Sequence, residues 1–473
     1  MTHSAGSQGA PSGRVNIDGL RGFALESMGW DATETRARLA AGEVSAVEVV
    51  QAAIDRAEAL DAQLGAIVHT DYDAARAAAR TPTAGVFGGV PTFIKDMENL
   101  QGAPTRYGAQ AFTPKPAPAT ARSVAQLLST GLVPLGKSTT AEFGLNATTE
   151  PLHAPPTRNP VDLACSSGGS SGGASSLVAA GVVPIAHAGD GGGSIRIPAA
   201  FCGLVGLKAT RGRLRPMDSA KRMPVKIATY GVVTRSVRDT AAFFAAVDAD
   251  RPADMAPIGH VNGPGSQRLR VGLFIDPPLG TPVDPEVRAA TLAAAAALEA
   301  AGHSVSPAPA PYDQQLADDF LLYWGFMAVG VEFGVKFQLG GDPAALQPWT
   351  RALATRAKRR FWAHPAAFLR LNAYREKYAR NFAQFDVLLS PTTAGPAPRI
   401  GTLSPALDHD TLKERLLSLL PYTPAQNASG GPAISMPFGA TQAGLPIGVQ
   451  LAAPWGEERR LLELAYTLEA SRP

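Results

Sequence analysis

Two serine clusters flanked by glycines are the part of this sequence most able to do chemistry. The segment 166–198 reads SSGGSSGGASSLVAAGVVPIAHAGDGGGSIRIP, with Ser170 in the first cluster and Ser194, 24 residues later, in the second. Glycine costs more conformational entropy to order than any other residue, so two glycine-rich loops around one apolar stretch favour a site over two ordinary turns. In such loops backbone N–H groups can approach a reacting atom without a Cβ in the way.

A lysine upstream supplies a candidate base. Lys95 ends the apolar run in GVPTFIKD, residues 89–96, where a buried strand would enclose it. Burial disfavours the ammonium form and lowers the pKa of a lysine toward the range in which the neutral amine acts as a base. Two hydroxyls and one amine can pass a proton along a line, so one of the serines can become a nucleophile without any histidine.

These segments resemble the amidase signature family, whose members use a Ser–cis-Ser–Lys triad to hydrolyse amides and related acyl compounds. The similarity rests on GVPTFIKD, SSGGSSGG and GGGSIRIPAAFCGLVGLKATRGR, and it extends to LVPLGKSTTAEFG, TRSVRDTAA, DVLLSPTTAGPAP and NASGGPAISMPFG. It therefore covers nearly the whole chain from about residue 30. Within the family, TTEP and VGLKATRGRLRP are most similar to bacterial hydrolases of nylon oligomers and urethanes.

The resemblance implies a role for each of these groups. Ser194 corresponds to the nucleophile, Ser170 to the bridging serine that follows a cis peptide bond, and Lys95 to the base. Backbone N–H groups directly before the nucleophile are candidates for an oxyanion hole, in which each donor is typically worth about 3 kcal/mol. They belong to Gly191, Gly192 and Gly193. We expect no metal and no other cofactor, because the sequence contains no His/Cys/Asp cluster with ligand spacing.

Other residues near the serines are expected to support the loops or to contact the substrate. Ser171 is interpreted as structural support, and Asp190 with Arg196 as an ion pair or capping network that fixes the second loop. The segment GLNATT, residues 144–149, corresponds to a stretch that faces the substrate in the family. Asn146 and Thr149 are therefore candidate binding residues.

The elements that must position these residues alternate between helices and short apolar runs. Ser45 and Glu48 predict a capping box that opens an amphipathic helix. From residue 89 the runs GVPTFI, LVPLG and VVPIAHA, separated by glycine, proline and helical stretches, predict an α/β protein. A loop at 250–267 leads to the strand LRVGLFI, and a helix is predicted over 285–301. The resemblance implies the amidase signature fold, a central mixed, mostly parallel twisted sheet with helices on both faces.

The chain is expected to form one domain over residues 26–473, with a signature core at about 85–245 and a flexible leader at 1–25. The leader is polar and rich in glycine and serine, with no apolar segment of the kind found in signal peptides. Two later segments, 320–337 and 361–374, carry aromatic residues at helical spacing. Their side chains either pack in the core or line the acyl pocket.

Composition limits the classes of partner. The 43 basic and 40 acidic side chains give a formal charge of +3, so the sequence implies neither a nucleic-acid footprint nor an anionic-membrane patch. Two cysteines, Cys165 and Cys202, are too few for a disulfide framework and suit a reducing compartment. We therefore expect a cytoplasmic monomer or homodimer that acts on a small amide, ester or carbamate and binds neither nucleic acid nor membrane.

Three rival interpretations are open at this point. GLVPLGKS, residues 131–138, matches the phosphate-loop pattern of an ATPase, although its apolar run indicates a strand. GGSSG, residues 168–172, matches the nucleophile elbow of α/β-hydrolases, which would need a buried strand before it and a histidine such as His303 or His364. The third rival keeps the fold, as the glutaminase subunit of a tRNA-dependent amidotransferase. That subfamily has an acidic residue where this chain has Leu420.

Overall fold

The computed structural model describes residues 12–220, 223–278 and 280–473. Thirteen strands lie in these ranges, and most are short runs of buried apolar residues. They are β1 Ile67–Thr70, β2 Pro91–Lys95, β3 Val133–Ser138, β4 Arg158–Asn159, β5 Asp162–Ser166, β6 Ile185–Asp190, β7 Val205–Lys208, β8 Thr229–Thr234, β9 Arg270–Leu273, β10 Ser304–Pro307, β11 Val387–Pro391, β12 Ala433–Ala440 and β13 Pro446–Ala452.

Fifteen α-helices lie in the same described ranges. They are α1 Gly22–Glu26, α2 Ala32–Ala41, α3 Ala46–Leu64, α4 Tyr72–Arg80, α5 Arg122–Leu128, α6 Gly172–Ala179, α7 Arg196–Cys202, α8 Val237–Val247, α9 Pro285–Ala300, α10 Gln314–Phe337, α11 Pro348–Arg359, α12 His364–Ala379, α13 His409–Leu419, α14 Pro424–Ser429 and α15 Glu458–Ala470. The predicted capping box is confirmed, since Ser45 and Glu48 exchange hydrogen bonds at the start of α3. The predicted helix at 285–301 is α9, within one residue.

Eight strands form a mixed sheet in the order β10-β9-β11-β13-β12-β7-β8-β6. The expected mixed α/β fold is confirmed, but the expectation that the sheet is mostly parallel is wrong. Only β10 with β9 and β9 with β11 pair in parallel, whereas the five other neighbouring pairs are antiparallel. For one of these antiparallel pairs the cause is the short connection between the strands: five residues, 441–445, join β12 to β13 as a hairpin.

A second sheet, in the order β1-β3-β2, continues this layer beyond β6. Side chains join the two sheets: the Thr92 hydroxyl donates to the Ile185 carbonyl oxygen, and the Lys95 backbone N–H donates to Nδ1 of His187. Residue numbers increase in the same sense along β2 and β6 at these two contacts, so the two strands run in the same direction. This arrangement brings Lys95, the last residue of β2, beside the end of β6, where the second serine loop begins.

Part of the predicted flexible leader, residues 12–25, lies among the described residues and contacts the rest of the chain. The Val15 N–H donates to the Pro160 carbonyl oxygen, and the Leu163 N–H donates to the Gly13 carbonyl oxygen. Leu20 is buried, and α1 begins two residues later at Gly22. Residues 1–11 of the predicted leader lie outside the described residues.

Helix α10 is long and apolar enough to cross a membrane by length and composition, and no other described helix meets that criterion. In the structure it packs against α11 and α12. Tyr323 on α10 is fully buried, and the ring of Phe326 contacts Phe368 of α12 at 4.9 Å between centroids. The arrangement gives α10 protein neighbours on more than one side.

Candidate active site

The side chain of Lys95 ends in a pocket of hydroxyl and carbonyl oxygens. Its Nζ lies 2.7 Å from Oγ of Ser170, 2.9 Å from Oγ of Ser171 and 3.3 Å from the carbonyl oxygen of Gly189. Ser171 is itself fixed, because its hydroxyl lies 3.1 Å from that same carbonyl oxygen and accepts the Gly189 N–H at 3.2 Å. The structure thus brings together Lys95, Ser170 and Ser171, which the sequence pattern selected.

Burial governs the charge of Lys95, which is 2% exposed. Loss of solvation lowers its pKa to about 7, although the nearby carboxylates of Asp190 and Glu98 favour the charged form. Behind it, Nδ1 of His187 accepts the Lys95 backbone N–H, and burial, followed by the charges of Lys95 and Lys137, lowers the pKa of His187 to about 3. This histidine is therefore neutral and carries its proton on Nε2.

The first serine loop has a cis peptide bond between Gly169 and Ser170, as the resemblance implies. Threonine hydroxyls hold the loop: Thr140 donates to the Ser170 carbonyl oxygen at 2.9 Å, and Thr149 donates to the Gly168 carbonyl oxygen at 3.0 Å. Thr149 is fully buried behind the loop, and its contact with a substrate stays a prediction. Its hydroxyl also accepts the Gly172 N–H.

The predicted ion pair between Asp190 and Arg196 is confirmed, with 3.0 Å between Oδ2 and Nε. Burial favours the protonated acid, but Arg196 and then Lys208 outweigh it and hold the pKa of Asp190 down at about 2. The Asp190 carboxylate also accepts the Gly193 N–H at 2.7 Å and an amide N–H of Asn427 at 2.9 Å. The ionised carboxylate thus closes the loop that carries Ser194.

One of the three predicted oxyanion donors is therefore excluded. The Gly193 N–H is committed to Asp190, and Gly193 itself has φ +126°. A Cβ at this position would lie 2.3 Å from Oγ1 of Thr423, so only glycine fits. Gly191 and Gly192 are half-buried in the wall of the cavity that contains Ser194, and they remain candidate donors.

The other candidate binding residue, Asn146, uses its amide within the protein. Its Nδ2 donates to the Leu403 carbonyl oxygen at 3.0 Å, and its Oδ1 accepts the Ala147 N–H at 2.8 Å. Asn146 also lines a small cavity beside Ser194, so its role as a binding residue stays a prediction.

Lys95, Ser170 and Ser194 all line one cavity of about 590 Å³. Helix α10 supplies much of the opposite wall through Tyr323, Trp324, Phe326 and other residues. Of the two aromatic segments, the first thus lines the cavity. Phe368 and the rest of α12 lie behind it, in an aromatic cluster with Tyr323 and Phe326.

Sequence reasoning missed several residues that shape this site. Thr423, Gln426 and Asn427 lie more than 220 residues after Arg196, yet all three accept hydrogen bonds from its guanidinium. The only sequence signal was the family-like segment NASGG, which begins at Asn427. Trp324 was flagged only as one aromatic of a helix, with no indication that it would stand beside Ser194.

The structure argues against the first two rival interpretations. Lys137 of the phosphate-loop pattern lies in β3, fully buried and 2.8 Å from the Asp96 carboxylate. A strand, β5, does precede the elbow pattern, but among the described strands it pairs only with the two-residue β4, outside the large sheet. Neither His303 nor His364 lines the cavity that contains Ser194.

Comparison with known proteins agrees with this geometry. The amidase family model matches residues 48–462. AmiC, a protein of Mycobacterium tuberculosis that carries the name of an amidase, is 44% identical over 94% of both chains. A component of the glutamyl-tRNA(Gln) amidotransferase of Thermus thermophilus is 33% identical over 93% of this chain and 96% of its own.

A solved structure extends the similarity to the fold. The structure of 6-aminohexanoate cyclic dimer hydrolase with its substrate superposes with a TM-score of 0.86 at 33% identity, over 94% of this chain and 98% of the other. The range that the family model matches includes every residue of the Lys95, Ser170 and Ser194 arrangement. The chain therefore belongs to the amidase signature family.

Proposed function

We propose that this protein hydrolyses carboxylic amides through a covalent acyl-enzyme on Ser194, which Ser170 and Lys95 activate. One observation carries the proposal. A lysine whose pKa is lowered to about 7 by burial lies 2.7 Å from one serine hydroxyl, in the same cavity as a second serine at a glycine-rich turn. A neutral amine beside a serine pair is a base placed next to a nucleophile.

The hydrogen-bond donors and acceptors around Lys95 support transfer of a proton from Ser170 to Lys95. A neutral lysine amine has two N–H groups and one lone pair. The Gly189 carbonyl oxygen can only accept, and the Ser171 hydroxyl, which donates to that carbonyl and accepts the Gly189 N–H, has a second lone pair with which to accept from Lys95. Both N–H groups of Lys95 then have acceptors, so its lone pair is left for the hydroxyl proton of Ser170.

The reaction follows from this polarity. Lys95 takes the proton of Ser170 while Ser170 takes that of Ser194, and Oγ of Ser194 attacks the carbonyl carbon. The N–H groups of Gly191 and Gly192 are our candidates to stabilise the oxyanion. The relay then returns a proton through Ser170 to the leaving nitrogen, and the amine departs. A water activated by the same relay releases the acid from Ser194.

The same steps would cleave esters and carbamates, since the relay acts on any acyl carbon with a leaving group that accepts a proton. We propose no metal in this chemistry, because serines, a lysine and backbone N–H groups supply every function. Among the described residues no three His, Cys, Asp or Glu side chains are grouped as metal ligands. Activity is expected to survive dialysis against a strong chelator. Loss of activity that a divalent ion restores would contradict this mechanism.

The experiment that tests the proposal combines labelling with substitution. A sulfonyl fluoride should label Ser194, located by peptide mapping, and Ser194→Ala should lower kcat for an anilide by several orders of magnitude. Ser175→Ala is the matched control, since Ser175 is buried in the neighbouring α6 but does not line the cavity. Mapping of the adduct to Ser170 would overturn the assignment.

The glutaminase subunit of an amidotransferase remains the second candidate function, supported by the similarity to the Thermus thermophilus protein. Leu420 weighs against it: this buried residue lies in the apolar wall beside Ser194, where an acidic residue would be needed for the ammonium group of glutamine. We therefore propose a stand-alone cytoplasmic hydrolase. Release of ammonia from free glutamine at a rate comparable to anilide cleavage would favour the amidotransferase role instead.

A further inference from the structure

Two cavities meet at Ser194. The larger, of about 590 Å³, contains Lys95 and Ser170, whereas the smaller, of about 120 Å³, contains neither. Ser194, Leu145 and Trp324 line both. The nucleophile therefore stands at a junction, with a different environment on each side.

A pair of tryptophans fixes the wall between the two cavities. The indole N–H groups of Trp324 and Trp349 both donate to the carbonyl oxygen of Leu145, at 3.1 and 2.8 Å. Trp324 also stacks on Phe320, with 5.6 Å between ring centroids. With both lone pairs of this carbonyl engaged, the partition is held from two helices, α10 and α11.

The smaller cavity has no charged residue among the described residues that line it. Its walls are mainly aliphatic and aromatic, with Leu416, Leu417 and Leu420 on one side and Leu316 and Phe320 of α10 on the other. A charged group placed here would lose its hydration without gaining a partner, which is costly. The cavity therefore suits an uncharged, apolar group.

Proton transfer decides which half of the substrate lies on each side. The leaving nitrogen must receive its proton from Ser170, and the deacylating water must give its proton to Ser170. Ser170 faces only the larger cavity, so the amine and later the water occupy that side. The acyl group, bonded to Oγ of Ser194, is left with the smaller cavity.

We propose that the smaller cavity is the acyl-group subsite and selects a short, uncharged, apolar acyl group. The inference rests on the proposed function and adds a substrate class to it. An apolar cavity of about 150 Å³ holds one benzene ring in another protein, so this one matches an acyl group of about four to six carbons. Each methylene buried should raise kcat/KM about fourfold until the cavity is full. The larger cavity leaves room for a bulky amine.

The test uses two series of compounds on the full-length protein. Straight-chain acyl p-nitroanilides of two to ten carbons vary the acyl group with one constant amine. Alkylsulfonyl fluorides of the same lengths report the second-order rate of Ser194 labelling, which needs no turnover. In both series we expect the rate to rise to four to six carbons and then to fall at least tenfold by ten carbons. A terminal ammonium or carboxylate on the chain should also lower it at least tenfold.

Substitutions in the two cavities test which one holds the acyl group. Leu420→Ala should move the optimum to longer chains, and Leu420→Asp should lower the rates of all apolar chains at least tenfold. Leu369→Asp is the matched control, because Leu369 is an exposed leucine outside both cavities. Met327→Ala, in the larger cavity only, should change the preference among amines and leave the acyl-length optimum in place.

The outcomes separate the two proposals. A length-dependent labelling rate without any amide hydrolysis would contradict the proposed function and leave the subsite standing. Amide hydrolysis with an acyl-length optimum that Met327→Ala moves and Leu420→Ala does not would place the acyl group in the larger cavity and overturn the inference. A flat acyl-length profile in both series would also overturn it.

Discussion

Nζ of Lys95 and Oγ of Ser170 lie 2.7 Å apart in a site where both side chains are almost completely buried. Two further oxygens, from Ser171 and Gly189, take up the N–H groups of the amine. Burial and hydrogen bonding thus act together, because one lowers the pKa of the lysine and the other directs its lone pair at Ser170. This pair and the loop that carries Ser194 have measurable consequences.

The first prediction concerns pH. Because Lys95 has a pKa of about 7 and is needed as the neutral amine, kcat/KM should rise between about pH 6 and 8 and then level off. Lys95→Arg should be nearly as damaging as Lys95→Ala, since a guanidinium stays protonated. The measurement is kcat/KM for one anilide from pH 5.5 to 10. A flat profile, or near-normal activity of Lys95→Arg, would contradict the role of Lys95 as base.

The second prediction concerns stability and the same lysine. A pKa lowered in the folded state means that the unfolded chain binds the proton more tightly. Burial of Lys95 therefore destabilises the folded state most below about pH 7, and this destabilisation fades as pH rises to 10.5, the pKa of the lysine in the unfolded chain. The free energy of unfolding should rise over this window, and Lys95→Met should reduce the slope by up to about 1.4 kcal/mol per pH unit.

Lys208 provides the control for that measurement, because burial also lowers its pKa to about 7 and it lies outside the cavity. Lys208→Met should flatten the stability slope in the same way while the pH profile of kcat/KM stays unchanged. Chemical denaturation from pH 6.5 to 10.5 provides the data. If Lys95→Met leaves the slope as it is in the wild type, Lys95 is not held neutral by the fold.

The third prediction compares two glycines of one triplet. Gly193→Ala places a Cβ 2.3 Å from Oγ1 of Thr423 at a positive φ, so the loop that carries Ser194 must move. A displacement of about 1 Å costs roughly 100-fold in rate, and we expect at least that loss. Gly191→Ala meets no atom closer than 3.8 Å and should retain activity within a few fold. Equal losses in the two variants, measured as kcat/KM, would contradict this account of the loop.

Local signals in the sequence were enough for parts of the fold. Ser45 and Glu48 act on one helix end, and an alanine-rich run of 16 residues makes α9, so neither depends on distant contacts. Strand direction was missed because it depends on which runs become neighbours. The hairpin of β12 and β13 and the remote pairing of β7 with β12 leave no mark on local periodicity.

In the site, too, some features were predictable from local sequence signals and others depend on distant contacts. Residue types and glycine-rich loops indicated Lys95 and the two serine clusters, and the family resemblance singled out Ser170 and Ser194 within them; the fold does bring all three to one cavity. The hydrogen-bond partners of single polar groups could not be predicted from the sequence. The Thr149 hydroxyl and the Gly193 N–H are examples, because both form hydrogen bonds within the serine loops. Each choice depends on an atom that another segment supplies in three dimensions.

The last prediction concerns the buried ion pair under the Ser194 loop. Asp190→Asn removes the negative charge that faces Arg196, and both side chains are fully buried. An uncompensated buried charge typically costs about 3–5 kcal/mol, and we expect a loss of that size in the free energy of unfolding. Activity should fall as well, because the Gly193 N–H loses an ionised acceptor.

Asp73→Asn is the matched control, since Asp73 pairs with Arg76 on the surface and its side chain is 99% exposed. An exposed pair of this kind contributes about 0–1 kcal/mol, so this variant should unfold close to the wild type. Chemical denaturation at pH 7 compares the three proteins. If Asp190→Asn loses no more stability than Asp73→Asn, then the hydrogen bonds of Arg196 to Gln426 and Gln450 hold the loop without the carboxylate, and the ion pair is not what fixes Ser194.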